Sequence, residues 1–213
     1  MIKTQSLNQF LDEVASRSPT PGGGSVAALS GALGAALTSM VCHLTIGKKK
    51  YADVQQEMEA ILKRSEELRA SFSELVEKDA EAFDSVMKAF SLPKETEEEK
   101  TKRASAIEEA TKEATLVPLK VMELCAEALS LTKIVAEKGN PNSISDAGVS
   151  ALMLHAACEG AALNVRTNVG TLRDKPFIEE TRAKTTMLLN KVESMTKEVL
   201  SIADSKLSGA PST

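Results

Sequence analysis

Pro19-Thr20-Pro21-Gly22-Gly23-Gly24-Ser25 leads into a run from Val26 to Ile46 without a formally charged residue, and the run closes on Gly47-Lys48-Lys49-Lys50-Tyr51. The prolines fix backbone angles before the turn, and the glycines permit close approaches that a Cβ forbids. Ser25 reads as the N-cap of a helix. Unpaired N–H groups and the dipole at a helix start favour negative charge, so a ligand can approach the backbone of Gly22, Gly23, Gly24 and Ser25. Along the helix, Val26, Leu29, Leu33, Leu37, Met40 and Leu44 are expected to supply the large contacts. Gly31, Gly34, Ala35 and Ser39 leave the other faces slim enough for neighbouring backbones. This is the pattern of a central helix.

The 213 residues suffice for a sizeable core, and with no internal repeat or dividing linker, residues 1–213 read as a single domain. A composition of 42% hydrophobic and 26% charged residues is that of a soluble protein. A net charge of −4 and only 3% aromatic residues argue against a nucleic-acid partner, which needs basic surface and stacking platforms. Cys42, Cys125 and Cys158 are odd in number, widely spaced and set among apolar or small neighbours, which points to reduced, buried thiols in a cytoplasmic protein. The N-terminal residues lack the apolar core of a signal peptide. Gly22 to Gly47, followed by lysines, has the outline of a membrane span. Its Ala, Gly, Ser and Thr content, the absence of an aromatic belt and the amphipathic helices beside it argue for a buried helix and no membrane.

Ser6 and Gln9 form a capping box for a first helix that places Leu7, Phe10, Leu11 and Val14 on one face. After the central helix, an apolar pattern at helical spacing runs unbroken from Ala52 to Phe90 and stops at Ser91-Leu92-Pro93. The charged stretch Lys94 to Lys100 reads as a solvated loop or helix start. Thr101 to Glu137 is helical, with Pro118 expected to kink it or divide it in two. Gly139-Asn140-Pro141-Asn142 is a stop, with Ser143 or Ser145 as the next N-cap. Asp146 to Asn168 is again rich in small residues and is the natural partner of the first small-residue helix. A last helix opens at Asp174-Lys175-Pro176, and Ser208 to Thr213 reads as a frayed tail. The sequence therefore predicts an all-α, antiparallel bundle of five or six helices with small-residue central helices.

Asp79 lies on the apolar stripe marked by Phe72, Leu75, Phe83 and Val86. A carboxylate there is either a structural acid paired with a helix N-terminus or lysine, or a proton-transfer group whose pKa burial has raised. Asn164 and Asn168 project one turn apart from a small-residue helix, either as a bridge between helices or as ligands for a heterocycle. Asp146 has the ordinary position of an acid in a first helical turn, and Lys48 to Lys50 suit a helix C-terminus. His43 and His155 stand alone, without metal-ligand spacing, so no metal is expected. Neither a phosphate loop nor a serine or cysteine nucleophile finds its motif.

The ordered set Pro19 to Ser25, Gly31-Ala32-Leu33-Gly34-Ala35-Ala36-Leu37, Leu44 to Tyr51, Lys78-Asp79-Ala80-Glu81-Ala82-Phe83, Ser145-Asp146-Ala147 and Gly160 to Asn168 closely resembles the cyclodeaminase/cyclohydrolase family. Its members occur as the C-terminal domain of formiminotransferase-cyclodeaminase and as stand-alone methenyltetrahydrofolate cyclohydrolases. The resemblance covers nearly the entire chain. It implies an all-helical subunit, a homodimer with folate sites near the subunit interface, and Asp79 as the catalytic group. No formiminotransferase segment is present, which favours the cyclohydrolase, with formiminotetrahydrofolate cyclodeaminase as the alternative. A non-catalytic dimeric helical module is the alternative of another class. On the resemblance, Gly22 to Ser25 approach the pterin or aminobenzoyl group, and Asn164 and Asn168 hold pterin polar atoms. Lys48 and Lys49 meet the glutamate carboxylates of a substrate that can be polyglutamylated, and Asp146 joins the substrate-binding set. No cofactor beyond the tetrahydrofolate substrate is implied.

Overall fold

The uncharged run forms one helix, α2 (Gly23–His43), and the other helices are laid against it. The computed structural model describes residues 5–209, so Ala210 to Thr213 of the expected tail lie outside the described residues. Helix α1 (Leu7–Val14) precedes α2, and a 3-10 segment (Lys49–Val54) leads into α3 (Gln55–Phe90). Then come α4 (Glu97–Lys138), a 3-10 turn (Pro141–Ser143), α5 (Ile144–Val169) and α6 (Lys175–Leu207), with no strand among the described residues. The Ser6/Gln9 capping box opens α1, a Thr96/Glu99 box opens α4, and Asp174 caps α6 ahead of Pro176.

The small residues of α2 face inward and most of its large ones face out, Val41 being the buried exception. Ala27, Ala28, Gly31, Ala32, Gly34 and Ala35 are buried, whereas Val26, Leu33 and Met40 are 41%, 49% and 43% exposed. The expectation that these large side chains make the core contacts is therefore overturned. A Cβ on Gly31 would stand 2.5 Å from the Phe72 ring of α3, and one on Gly34 would stand 2.6 Å from Leu154 Cγ of α5. Neighbouring helices approach the α2 backbone itself, so only its slim faces can turn inward. The first helix is similar in kind: of its predicted apolar face only Phe10 is buried.

Both neighbours run antiparallel to α2. Ser25 meets Val76 and Asp79 of α3, while Ser65 reaches the Ala35 carbonyl. On α5, Gly23 lies by Asn164 and Thr38 by Ser150. Where α2, α4 and α5 meet, three buried hydroxyls form a closed cluster. Thr38 Oγ1 is 2.8 Å from Thr132 Oγ1 and 3.0 Å from Ser150 Oγ, which donates to the Gly34 carbonyl at 2.7 Å. Asn140 fastens the end of α2: its backbone N–H donates to Thr45 Oγ1, its amide donates to the Leu44 carbonyl, and its oxygen accepts from the Tyr51 hydroxyl. Cys42, Cys125 and Cys158 are buried and unbridged, and burial pushes the Cys42 and Cys158 thiols up to about 12. Helix α2 is apolar and long enough to cross a membrane, yet most of it is enclosed by the bundle.

Of the two outcomes expected at Pro118, the division does not occur, because α4 continues through it to Lys138. One boundary expectation changes. The N-cap of α2 is Gly22, not Ser25, which falls in the first turn and is fully buried. Replacing Gly31 with alanine should gain up to about 1 kcal/mol of helix propensity but lose more by overpacking Phe72, for a net destabilisation of about 1–2 kcal/mol. Denaturant unfolding of Gly31→Ala measures the balance; equal or higher stability would contradict the packing described.

Candidate active site

The turn before α2, the C-terminal third of α3 and the C-terminal third of α5 meet at one end of the bundle, opposite the Thr111 to Ala114 stretch of α4. They enclose a cleft of about 330 Å³ whose wall includes Gly22, Gly23, Gly24, Asp79, Phe83, Asn164 and Asn168. Asp79 is the only charged residue in that wall among the described residues.

Asp79 reaches this position because α3 crosses the start of α2. Gly22 offers that helix no side-chain cap. Asp79 takes the role from another helix: Ser25 Oγ donates to Asp79 Oδ2 at 2.9 Å, and the Ser25 backbone N–H also bonds the carboxylate. Burial raises the Asp79 pKa above the ordinary carboxylate value, and the Ser25 bonds hold back part of the rise. Gly24 is required by this contact, since a Cβ there would stand 2.0 Å from Asp79 Oδ1. The glycine turn thus makes room for the chain's own carboxylate.

Each of the two asparagines spends one amide N–H on a backbone carbonyl. Asn164 Nδ2 donates to the Gly160 carbonyl at 2.9 Å, and Asn168 Nδ2 donates to the Ala114 carbonyl at 3.0 Å. Ala114 stands four residues before Pro118, which has no N–H to give it. Asn168 therefore satisfies the carbonyl that the internal proline frees, which is why α4 continues past Pro118. Each asparagine keeps its oxygen and its second amide N–H for a ligand, so beside the Asp79 carboxylate the cleft offers amide groups that can accept or donate.

Not all predicted site residues gather here. Gly22, Gly23, Gly24, Asp79, Asn164 and Asn168 share the cleft, and Ser25 lies behind it, too buried to touch a ligand. Lys48 and Lys49 are exposed past the far end of α2, roughly 30 Å away for 21 residues at 1.5 Å each. Asp146 is in the first turn of α5, roughly 27 Å along the helix from Asn164. Within one subunit none of the three lines the cleft, because α2 and α5 are straight antiparallel rods. Thr111, Ala114 and Thr171 line the cleft but were not anticipated; the signal for the α4 pair was Pro118 and the carbonyl it leaves open one turn earlier. A larger hollow of about 670 Å³ runs along α4, but three of its charged residues, Lys112, Asp174 and Glu108, are engaged within its own wall. Lys112 pairs with Asp174 at 2.5 Å, and Glu108 accepts the N–H groups of Arg173 and Asp174. No three metal-ligating side chains gather among the described residues.

A family model described as formiminotransferase-cyclodeaminase matches residues 6–187. The chain belongs to this family. It is 48% identical over 207 residues to the methenyltetrahydrofolate cyclohydrolase of Methylorubrum extorquens, covering 97% of this chain and 100% of that protein. It is 37% identical over 195 residues to the rat formimidoyltransferase-cyclodeaminase, covering 92% of this chain but 36% of that longer protein. The crystal structure of formiminotetrahydrofolate cyclodeaminase from Thermotoga maritima superposes with a TM-score of 0.88 at 33% identity, covering 97% of this chain and 100% of that one. Membership makes the chain an enzyme of folate one-carbon chemistry, of the cyclohydrolase/cyclodeaminase kind, and the non-catalytic module is set aside.

The Pro118–Asn168 arrangement can be tested by a double-mutant cycle. Asn168→Ala should cost about 1–3 kcal/mol by orphaning the Ala114 carbonyl. In a Pro118→Ala background an N–H is restored to that carbonyl, and the cost should fall by about 1 kcal/mol. Additive effects in denaturant unfolding would break the link.

Proposed function

We propose that this enzyme hydrolyses methenyltetrahydrofolate to formyltetrahydrofolate, with Asp79 as the proton-transfer group. The observation that carries this reading is a half-buried carboxylate, bonded by Ser25, in a cleft whose wall has no Lys or Arg among the described residues. Such a cleft lacks a cation, and the substrate brings one. Methenyltetrahydrofolate holds positive charge on an amidinium-like carbon between two nitrogens, and its pterin offers N–H donors suited to Asn164 and Asn168 oxygens. Gly23, which bears no side chain, allows the flat ring to approach the backbone.

In the proposed reaction the Asp79 carboxylate stabilises the cation and accepts a proton from the attacking water as the C–O bond forms. The resulting acid returns that proton to the departing ring nitrogen as the C–N bond breaks. The remaining hydroxyl proton leaves to solvent as the carbonyl forms. The formimino group of the cyclodeaminase substrate is also amidinium-like, and the relatives named cyclodeaminases support this as the second reading. There Asp79 would assist ring closure and the loss of ammonia. Following the near-ultraviolet absorbance of methenyltetrahydrofolate, and ammonia release from formiminotetrahydrofolate, separates the two. Activity on neither would overturn both.

Asp79→Asn should abolish turnover while folate binding persists. The same variant should unfold at an equal or higher temperature than the wild type at pH 7. A carboxylate whose folded pKa is raised favours the folded state below its unfolded pKa and loses that advantage as pH rises through the folded value. The difference should therefore vanish below about pH 4, where the wild-type carboxyl is protonated in both states. Near-normal turnover in folded Asp79→Asn would end the assignment.

We also propose a homodimer. The outer stripe of α2 (Val26, Leu33 and Met40) and exposed Val149, Leu152 and Leu163 of α5 form apolar surface that a second copy would bury. A cleft of about 330 Å³ suits a bicyclic head and leaves the glutamate tail outside. A second copy packed antiparallel along α2 would bring its Lys48 and Lys49 to that tail, whereas within one subunit they are too far away. Asp146, at the same far end of the bundle, would enter the site by that route as well. Co-expressing differently tagged Asp79→Asn and Lys48→Glu/Lys49→Glu subunits tests this, because the mixed dimer should then retain one intact site on polyglutamylated substrate. A mixed dimer no more active than its parents would return the lysines to a helix-end role.

A further inference from the structure

Ser25 is completely buried and does not line the cleft, yet its hydroxyl lies between two acceptors. Asp79 Oδ2 is 2.9 Å away and the Val76 carbonyl of the same helix is 3.2 Å away. A hydroxyl has one proton and cannot serve both at full strength. Its preference depends on charge, since an ionised carboxylate is a far stronger acceptor than a backbone carbonyl, whereas a neutral carboxyl is comparable to one. Val76 lies in mid-helix, where its carbonyl already has the intrahelical bond and tolerates gaining or losing a second donor.

We infer that Ser25 is a positioning residue whose hydroxyl follows the charge of Asp79, turning to Oδ2 when the carboxylate is ionised and relaxing toward the Val76 carbonyl when it is protonated. Oδ2 is thereby held against the start of α2 and Oδ1 is left as the oxygen for proton exchange. Because the released hydroxyl has an acceptor in either state, protonating Asp79 strands no buried donor. Few other groups can produce such a response. Helix α2 carries no Asp, Glu, Lys or Arg; α4 presents Thr111 and Ala114 to the cleft, and α5 presents Asn164, Thr167 and Asn168. On α3 itself, Lys78 and Glu81 are exposed and Glu77 is half-buried, and none of the three lines the cleft. The role in turnover rests on the proposed function, but the coupling of Ser25 to Asp79 does not.

The test pairs a measurement of Asp79 itself with one of turnover. In the free protein labelled with 13C at aspartate side-chain carboxyls, the Asp79 signal is assigned by its loss in Asp79→Asn. Its titration midpoint should rise by about one pH unit in Ser25→Ala and return toward the wild-type value in Ser25→Thr. The acidic limb of kcat/KM for methenyltetrahydrofolate should move by the same amount, with KM little changed and activity recovering at higher pH. In the wild type, the buried Ser25 hydroxyl proton should shift with the Asp79 midpoint, a reading that needs no variant. An unmoved midpoint would overturn the inference, as would a moved midpoint in a variant whose kcat/KM falls equally at every pH while the wild type is active. A moved midpoint where the wild type itself turns over neither substrate would uphold the coupling and overturn the proposed function instead.

Discussion

The structure depends on how closely three helix backbones can approach one another. Helix α2 turns faces of Gly and Ala toward its neighbours, so the Phe72 ring and the Leu154 side chain rest on main chain. That proximity brings a side chain of α3 to the first turn of α2, where N–H groups lack a cap of their own. Asp79 fills the vacancy. The group proposed to do chemistry is thus part of the local hydrogen bonding of the central helix, and its environment is set by packing that had to form in any case.

A second constraint acts from the opposite wall. An internal proline costs a helix one hydrogen bond, and the carbonyl freed by Pro118 is taken up by Asn168 from α5. The bond ties two walls of the cleft together and fixes the orientation of the amide. Asn164 is oriented by Gly160 in the same way, which leaves each asparagine its oxygen and one N–H for a ligand. The one charge in the cleft wall among the described residues is the Asp79 carboxylate, which favours a positively charged ligand.

Much of this was legible in the residues. Helical spacing and capping boxes located the helices, and small-residue composition marked α2 and α5 as the central pair. Asp79 stood out because it interrupts an apolar stripe. Periodicity could not say which face of α2 points inward, since large apolar side chains ordinarily mark the core and here Val26, Leu33 and Met40 mark the outside. Ser25 had the chemistry of an N-cap but sits three residues too late, and a carboxylate 54 residues away takes the part. The lysines and Asp146 belong to the same ordered set of segments as the cleft residues, yet the lengths of α2 and α5 carry them to the other end. Sequence adjacency gave no hint of that distance, which only the length and direction of the rods make plain.

The hydroxyl cluster of Thr38, Thr132 and Ser150 has a consequence for the cleft, although it lies well away from it. Apolar surfaces of small side chains are smooth and permit neighbouring helices to slide. Three hydroxyls on three helices, with distances of 2.8 to 3.3 Å between them, do not. Slipping α5 by one turn would move it about 5.4 Å, break the cluster and carry Asn164 and Asn168 past the carboxylate they face. The cluster is a vernier mark: it fixes the sliding coordinate of the central helices in the dry middle of the bundle, and the accuracy of that setting is delivered, undiminished by rigid helices, to the wet end where the ligand would sit.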